Sequence, residues 1–388
     1  MNTKKLDEAY IAHTYKRFPV EIVSGKGSVF TDVNGKQYID MGSGIGVNIF
    51  GAADESWVSA VNEQLNKVQH TSNLYYCKPC AKLAKALCNK TGMKKVFFAN
   101  SGAEANECAI KAARKYAAEK KGADCYTVVT LKNSFHGRTL TTLAATGQDC
   151  FHSLYNPLTP GFVSVDAENG EQLKDVCKTR KVAAVMCECI QGEGGVITLT
   201  DEYLTFLREF TEQNDIILII DEVQTGFGRT GKLFSYMNYG IEPDIITSAK
   251  GLGGGLPIGA ALLGEKVENI FSYGDHGSTF GGNPASCAGA YNILSRLDDV
   301  FLYEVIRKGE LLKSLFTASP AIESVTGKGL MIGIKPVKSA VEVVNKCIES
   351  GVLCLTAKDK IRLLPPLNTP DDLLIKAANI IIEACKGE

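Results

Sequence analysis

From residue 96 to residue 263 the sequence keeps returning to short apolar blocks, at 96–99, 126–131, 162–165, 183–187, 216–220, 245–247 and 260–263. Several are unbroken runs of Val, Ile and Leu, as in Ile216-Ile217-Leu218-Ile219-Ile220. A strand written that way has no face left for water, so it belongs inside a mostly parallel sheet covered on both sides. Helical stretches such as 107–116 lie between the blocks, and strand alternating with helix predicts a doubly wound α/β domain. We place this large domain over residues 50–297.

The flanks read differently. Residues 20–23, 28–32 and 37–39 are strand-like, and Asn34-Gly35 marks a tight hairpin between the last two. From Glu55 the period turns helical, with Val58, Val61, Leu65 and Val68 on one stripe, and a further helix is expected over 81–87. After Leu297 come strands at 329–334, 352–355 and 360–364, a helix over 339–350 and a last helix over 371–385. Residues 298–388 are therefore expected to form a smaller α+β domain, with the hairpins of segment 1–49 packing against it.

Composition narrows the function classes. Lys+Arg 42 against Asp+Glu 43 leaves a net charge of −1, without the cationic excess of an electrostatic nucleic-acid binder. The apolar blocks fall far short of the roughly 20 residues that cross a bilayer. Residues 1–18 carry Lys4, Lys5, Asp7, Glu8, Lys16 and Arg17 around no apolar core, unlike a secretory leader, so a cytoplasmic protein is expected. The 13 cysteines are scattered through apolar segments and read as small buried hydrophobes in a reducing compartment. The pairs Cys77-x-x-Cys80 and Cys187-x-Cys189 lack the second pair or matched histidines of a zinc site, and no metal is expected.

In open parallel sheets ligands bind beyond the carboxyl ends of the strands. Asn100-Ser101-Gly102-Ala103-Glu104-Ala105-Asn106 follows one block and opens a helix, a setting in which backbone N–H groups and a hydroxyl can cradle a phosphate. An ordinary helix-capping Ser101 explains the same residues. Asp221-Glu222-Val223-Gln224 puts a carboxylate at the rim of a buried strand, where it needs a cation or hydrogen-bond donors. Ser248-Ala249-Lys250-Gly251 puts a lysine at the sheet's mouth, where desolvation frees its lone pair for nucleophilic work. Phe135-His136-Gly137-Arg138 adds an aromatic face and a guanidinium suited to a carboxylate. One cofactor asks for all of these at once: pyridoxal 5'-phosphate (PLP) needs a phosphate cup, an amine, a carboxylate under its ring nitrogen and something flat against its ring. Two rival phosphate motifs fail. Gly226–Lys232 has the spacing of a Walker A loop but Leu233 where Ser or Thr must hold magnesium, and Gly251–Gly255 lacks the third glycine of a dinucleotide fingerprint.

With those segments, and with Gln191-Gly192-Glu193-Gly194-Gly195, Gly277-Ser278-Thr279-Phe280-Gly281-Gly282-Asn283-Pro284 and Arg362-Leu363-Leu364-Pro365-Pro366, the chain from about Tyr15 onward resembles the class-III, or omega, PLP-dependent aminotransferases of fold type I. His70-Thr71-Ser72-Asn73-Leu74-Tyr75-Tyr76 makes it most similar to their acetylornithine-specific branch. The resemblance implies Lys250 as the lysine joined to PLP, Asp221 under the ring nitrogen, Phe135 stacked on the ring, and Val223 among the cofactor-binding residues. It implies Gln224 near the phenolic oxygen with Glu222 beside it, Ser101, Gly102 and Ala103 on the phosphate, and Thr279 reaching the phosphate of a neighbouring subunit in a homodimer.

The same resemblance gives the substrate logic. Arg138 would hold the carboxylate of acetylornithine and later the distal carboxylate of 2-oxoglutarate, while Arg362 takes the carboxylate beside the keto carbon. Glu193 would mask Arg362 in the first half-reaction, with Ser278 near the substrate; Glu188 either supports the same network or is a structural acid at the strand end. Gly44 stands where ornithine aminotransferases carry a tyrosine, leaving room for an acetamide. Cys189 in place of a proline, and Gly51-Ala52-Ala53-Asp54 in place of Gly-His, depart from the pattern beside the pocket. Succinylornithine, succinyl-diaminopimelate and 4-aminobutyrate are alternative amines, and a PLP-holding protein without turnover, or an aminomutase, is an alternative role.

Overall fold

The computed structural model describes residues 3–386. All seven apolar blocks lie in one sheet, in the order Lys95–Ala99, Gly259–Leu263, Ile245–Ser248, Ile217–Asp221, Val182–Cys187, Thr127–Leu131, Phe162–Val165. Neighbours run parallel except Gly259–Leu263, which is antiparallel to both strands beside it. Successive residues leave to opposite faces, Leu218 and Ile220 entering one apolar cluster and Ile217 and Ile219 another. Burying each such side chain contributes about 1.5–3 kcal/mol, which explains why no polar alternation survives in these strands.

The helix Gly102–Lys121 covers the second face, burying Ala105, Ala109, Ala112 and Ala113. Alanine combines the strongest helix preference with the smallest side chain, so the helix lies close to the sheet. The Ser101 hydroxyl accepts the Glu104 N–H to start it, and Gly122 at φ 100° ends it.

Two smaller sheets complete the fold. Ile22–Lys26, Val29–Asp32 and Gln37–Asp40 form an antiparallel meander, with Gly35 at φ 81° in the expected hairpin. The other sheet holds Ile322–Lys328, Met331–Pro336, Lys360–Leu363 and Leu355–Ala357, with the helices Asp299–Thr317, Ala340–Glu349 and Asp371–Lys386 packed around it. The strand expected at 352–355 is two. Val352–Leu353 pairs in parallel with Ile39 and Asp40 of the meander, the chain turns at buried Cys354, and Leu355–Ala357 joins the second sheet. Apolar content marks the segment as extended, but the choice of partner is set by tertiary packing.

Candidate active site

Parallel strands deliver their carboxyl ends to one edge, and there the chain places Asn100–Ala103, Phe135–Arg138, Glu188, Asp221–Gln224 and Ala249–Lys250. Among them lies a cavity of about 440 Å³, walled also by Val47, Asn106 and Gly255–Ile258.

Asp221 is 3% exposed and held by three donors. Its Oδ2 accepts from Asn106 Nδ2 and His136 Nδ1, both at 2.8 Å, and its Oδ1 accepts the Val223 N–H at 3.0 Å. We assign the His136 hydrogen to Nδ1, the ring nitrogen that faces the carboxylate oxygen. Asn106 and His136 lie inside segments already singled out, yet their role as supports of Asp221 has no sequence signal beyond that proximity.

Lys250 opens a short turn after the strand Ile245–Ser248, at φ 46°, an unusual backbone for a lysine. Its amine makes no hydrogen bond or ion pair with any described residue. Burial lowers its pKa from the ordinary lysine value and the positive charge of Arg362 adds to the effect, while Glu193, Asp221 and Glu188 pull it upward. Gly251 follows because a Cβ there would stand 2.7 Å from Ile49 Cδ1.

At the opposite wall the first helical turn leaves the Gly102 and Ala103 amides without an intrahelical acceptor, since Ala105 N is the first to bond back, to the Ser101 carbonyl at 3.1 Å. The Ser101 hydroxyl is already occupied with Glu104 N at 3.2 Å. Glycine at 102 is required by packing, because a Cβ would meet Val223 Cγ1 at 2.7 Å. Free amides at a helix N-terminus, an uncommitted lysine and a braced carboxylate around one cavity fit PLP.

Glu188 is buried, with Oε2 accepting the Phe135 N–H at 3.1 Å and Oε1 the Gly192 N–H at 3.3 Å. Burial lifts its carboxyl to about 7 against the opposing pull of His136. Arg362 stands behind Gln224, its Nη1 donating to Gln224 Oε1 at 3.1 Å and to Glu193 Oε1 at 2.6 Å. Arg138 is exposed, its guanidinium over the rings of Phe135 and Phe151.

Other residues lie apart from this cavity. Glu222 is a correction: it points away, into the core, where its carboxyl accepts from Thr225 Oγ1 at 2.5 Å and the Tyr236 N–H at 2.8 Å. Adjacent residues at a strand end face opposite sides, so Asp221 in the cavity puts Glu222 out of it. Gly44 lies outside the cavity wall, which its neighbour Val47 joins. Thr279 is exposed and outside the wall, and Ser278 accepts from Asn100 Nδ2 at 3.1 Å.

Comparison with known proteins agrees with this geometry. The profile of the family described as Aminotransferase class-III matches residues 10–385. An acetylornithine aminotransferase of Haemophilus ducreyi is 49% identical over 382 residues, covering 98% of this chain and 97% of its own. Among solved structures, the N-acetylornithine aminotransferase of Stenotrophomonas maltophilia superposes with a TM-score of 0.85 at 34% identity, over 98% of this chain and 97% of that one. The ornithine aminotransferase of Toxoplasma gondii, described with PLP partly occupying its active site, gives 0.93 at 31% identity, over 98% and 93%.

Proposed function

The chain belongs to the class-III aminotransferases, enzymes that work with PLP, and from that premise we propose that it transfers the side-chain amine of N2-acetyl-L-ornithine to 2-oxoglutarate, a step of arginine biosynthesis. The products are N-acetyl-L-glutamate 5-semialdehyde and L-glutamate. The observation that carries the reading is the contrast between two arginines: Arg138 walls the cavity and has no hydrogen bond or ion pair with any described residue, while Arg362 is bound to Glu193. That contrast suits a first substrate with one remote carboxylate and a second with two.

When bound, PLP supplies an aldehyde for the amine and a cationic ring that accepts the electron pair left as the neighbouring carbon loses its proton. In our reading the Ser101–Ala103 turn would hold the phosphate, Phe135 and Val223 would contact the ring, and Asp221 would keep the ring nitrogen protonated. His136 and Asn106 fix the Asp221 carboxylate in place. Lys250, with its depressed pKa, gives up and recovers a proton at Nζ, serving as base and then acid. Arg138 grips the acetylornithine carboxylate by paired hydrogen bonds. Glu193 meanwhile occupies Arg362, so an α-amino acid finds no charge to bind; the carboxylate beside the keto group of 2-oxoglutarate displaces Glu193 in the second half. Around Gly44 a Cβ would meet only Asn48 Nδ2 at 3.7 Å and Val47 Cβ at 3.8 Å, and that space is assigned to the acyl group.

The working unit is assigned as a homodimer, with Thr279 completing the partner's phosphate site. Thr279 lies outside its own cavity beside exposed Phe280, with Leu74, Tyr75 and Tyr76 also exposed, the kind of apolar surface a second copy covers. We divide the chain into segments 1–49, 50–297 and 298–388, the first and last joined by the pairing of Gln37–Asp40 with Val352–Leu353. A cytoplasmic setting suits 13 unpaired cysteines, and no helix among the described residues is long and apolar enough to cross a membrane.

Mixing the purified enzyme with acetylornithine should convert the cofactor's visible absorbance to that of the amine form, and 2-oxoglutarate should restore it. A band that no amine moves would refute turnover. A higher kcat/KM for ornithine, succinylornithine or 4-aminobutyrate would displace acetylornithine as the substrate.

A further inference from the structure

We infer that Phe151 is a positioning residue for substrate carboxylates, its ring joining that of Phe135 as a two-ring platform on which the Arg138 guanidinium rests. The inference rests on the reading that Arg138 receives the carboxylate. Arg138 Cζ lies 5.3 Å from the Phe151 ring centroid and 5.8 Å from that of Phe135, and the two rings meet edge to face at 6.1 Å and 73°. Arg138 makes no hydrogen bond or ion pair with any described residue. A carboxylate of the protein would orient a guanidinium and neutralise it at once; ring faces orient it and leave every N–H for the ligand.

Both rings are themselves held. Phe151 N donates to the Gln148 carbonyl at 3.1 Å, and Gln148 Nε2 donates to the Ser134 carbonyl at 3.1 Å, tying the turn to the residue before Phe135. A ring nitrogen of His152 donates to the Leu143 carbonyl at 2.9 Å, fixing the other side of the turn. Phe135 is anchored through its N–H on Glu188. Phe135 also walls the cavity, whereas Phe151 does not, so its contact with Arg138 is separable from the cavity itself.

The test compares 5-aminopentanoate, which keeps the remote carboxylate, with butylamine, which lacks it. The ratio of their kcat/KM values should fall about threefold to fivefold in Phe151→Leu, the scale of one part-exposed cation–π contact, and should recover in Phe151→Tyr. Calorimetric affinity for glutarate, measured without turnover, should weaken by the same factor. An unchanged ratio and affinity, or equal losses with both amines, would overturn the inference. Arg138→Leu separates the two readings: a collapsed ratio there with an intact one in Phe151→Leu removes Phe151 alone. An intact ratio in Arg138→Leu removes the carboxylate role of Arg138 and the inference with it.

Discussion

Glu193→Gln should unmask Arg362 and turn the enzyme toward α-amino acids. Glu193 Oε1 sits 2.6 Å from Arg362 Nη1, the arginine side chain being 4% exposed and the glutamate 32%. Burial acts to raise the Glu193 carboxyl, but the charge of Arg362 and the hydrogen bond to it prevail and hold the carboxyl below its ordinary range, so the pair is ionised at neutral pH. A hydrogen bond between charged groups contributes about 1.5–3 kcal/mol, and with Glu193 a third exposed the lower half of that range applies. Glutamate must displace this anion to place its α-carboxylate on Arg362. Removing about 1.5–2 kcal/mol of competition should therefore raise kcat/KM for the glutamate half-reaction about 10- to 30-fold, at 1.36 kcal/mol per decade. Acetylornithine has no carboxylate beside its reacting amine and should gain nothing. Stopped-flow absorbance of the cofactor, with each amine in turn, reads both rates. A glutamate-to-acetylornithine ratio that stays at the wild-type value would refute the charge mask, because Arg362 would then be available with or without Glu193.

Lys250→Ala should lose at least 10²- to 10⁴-fold in turnover, the usual worth of a general acid–base group, in assays of either half-reaction; activity near wild type would remove Lys250 from the proton path. Gly102→Ala should cost about 1–3 kcal/mol of stability and weaken PLP retention in dialysis, since its Cβ would stand 2.7 Å from Val223 Cγ1; unchanged melting and retention would show that Val223 yields freely. Glu222→Gln addresses pH. Burial lifts the Glu222 carboxyl from 4.5 to about 7, so the folded state holds that proton more tightly than the unfolded chain, and stability declines as pH rises from about 4.5 to about 7. The loss is on the order of 3 kcal/mol. Between pH 5 and pH 8 the melting temperature of wild type should fall more than that of Glu222→Gln, and parallel curves would place the ionisation elsewhere.

What the sequence made legible follows from how each element is held. The five inner strands of the central sheet announce themselves because burial on both faces leaves few polar residues in them, and the ligand edge follows from the direction shared by all but Gly259–Leu263. Ile322–Lys328 was invisible because it is a half-exposed edge strand containing Ser, Thr and Gly. Lysine, carboxylate and helix turn could be nominated from their places after those strands, whereas Glu222 could not be told from Asp221 without the direction of the side chain. Asn106, His136 and Phe151 escaped because each acts through a contact with another residue, and no spacing rule encodes which residue that will be.

The parallel pairing of Gln37–Asp40 with Val352–Leu353 also constrains the order of events at the ribosome. The opening meander emerges early, but the neighbour that completes its edge is translated only near the end, after every strand of the central sheet. Until then the backbone groups on the outer edge of Gln37–Asp40, such as the Ile39 N–H that bonds the Gly351 carbonyl, stay unsatisfied, an adhesive border for other nascent chains. Truncation between Leu263, where the central sheet is complete, and Val352 would leave that border permanently open, so fragments ending there should aggregate even though their central sheet is intact.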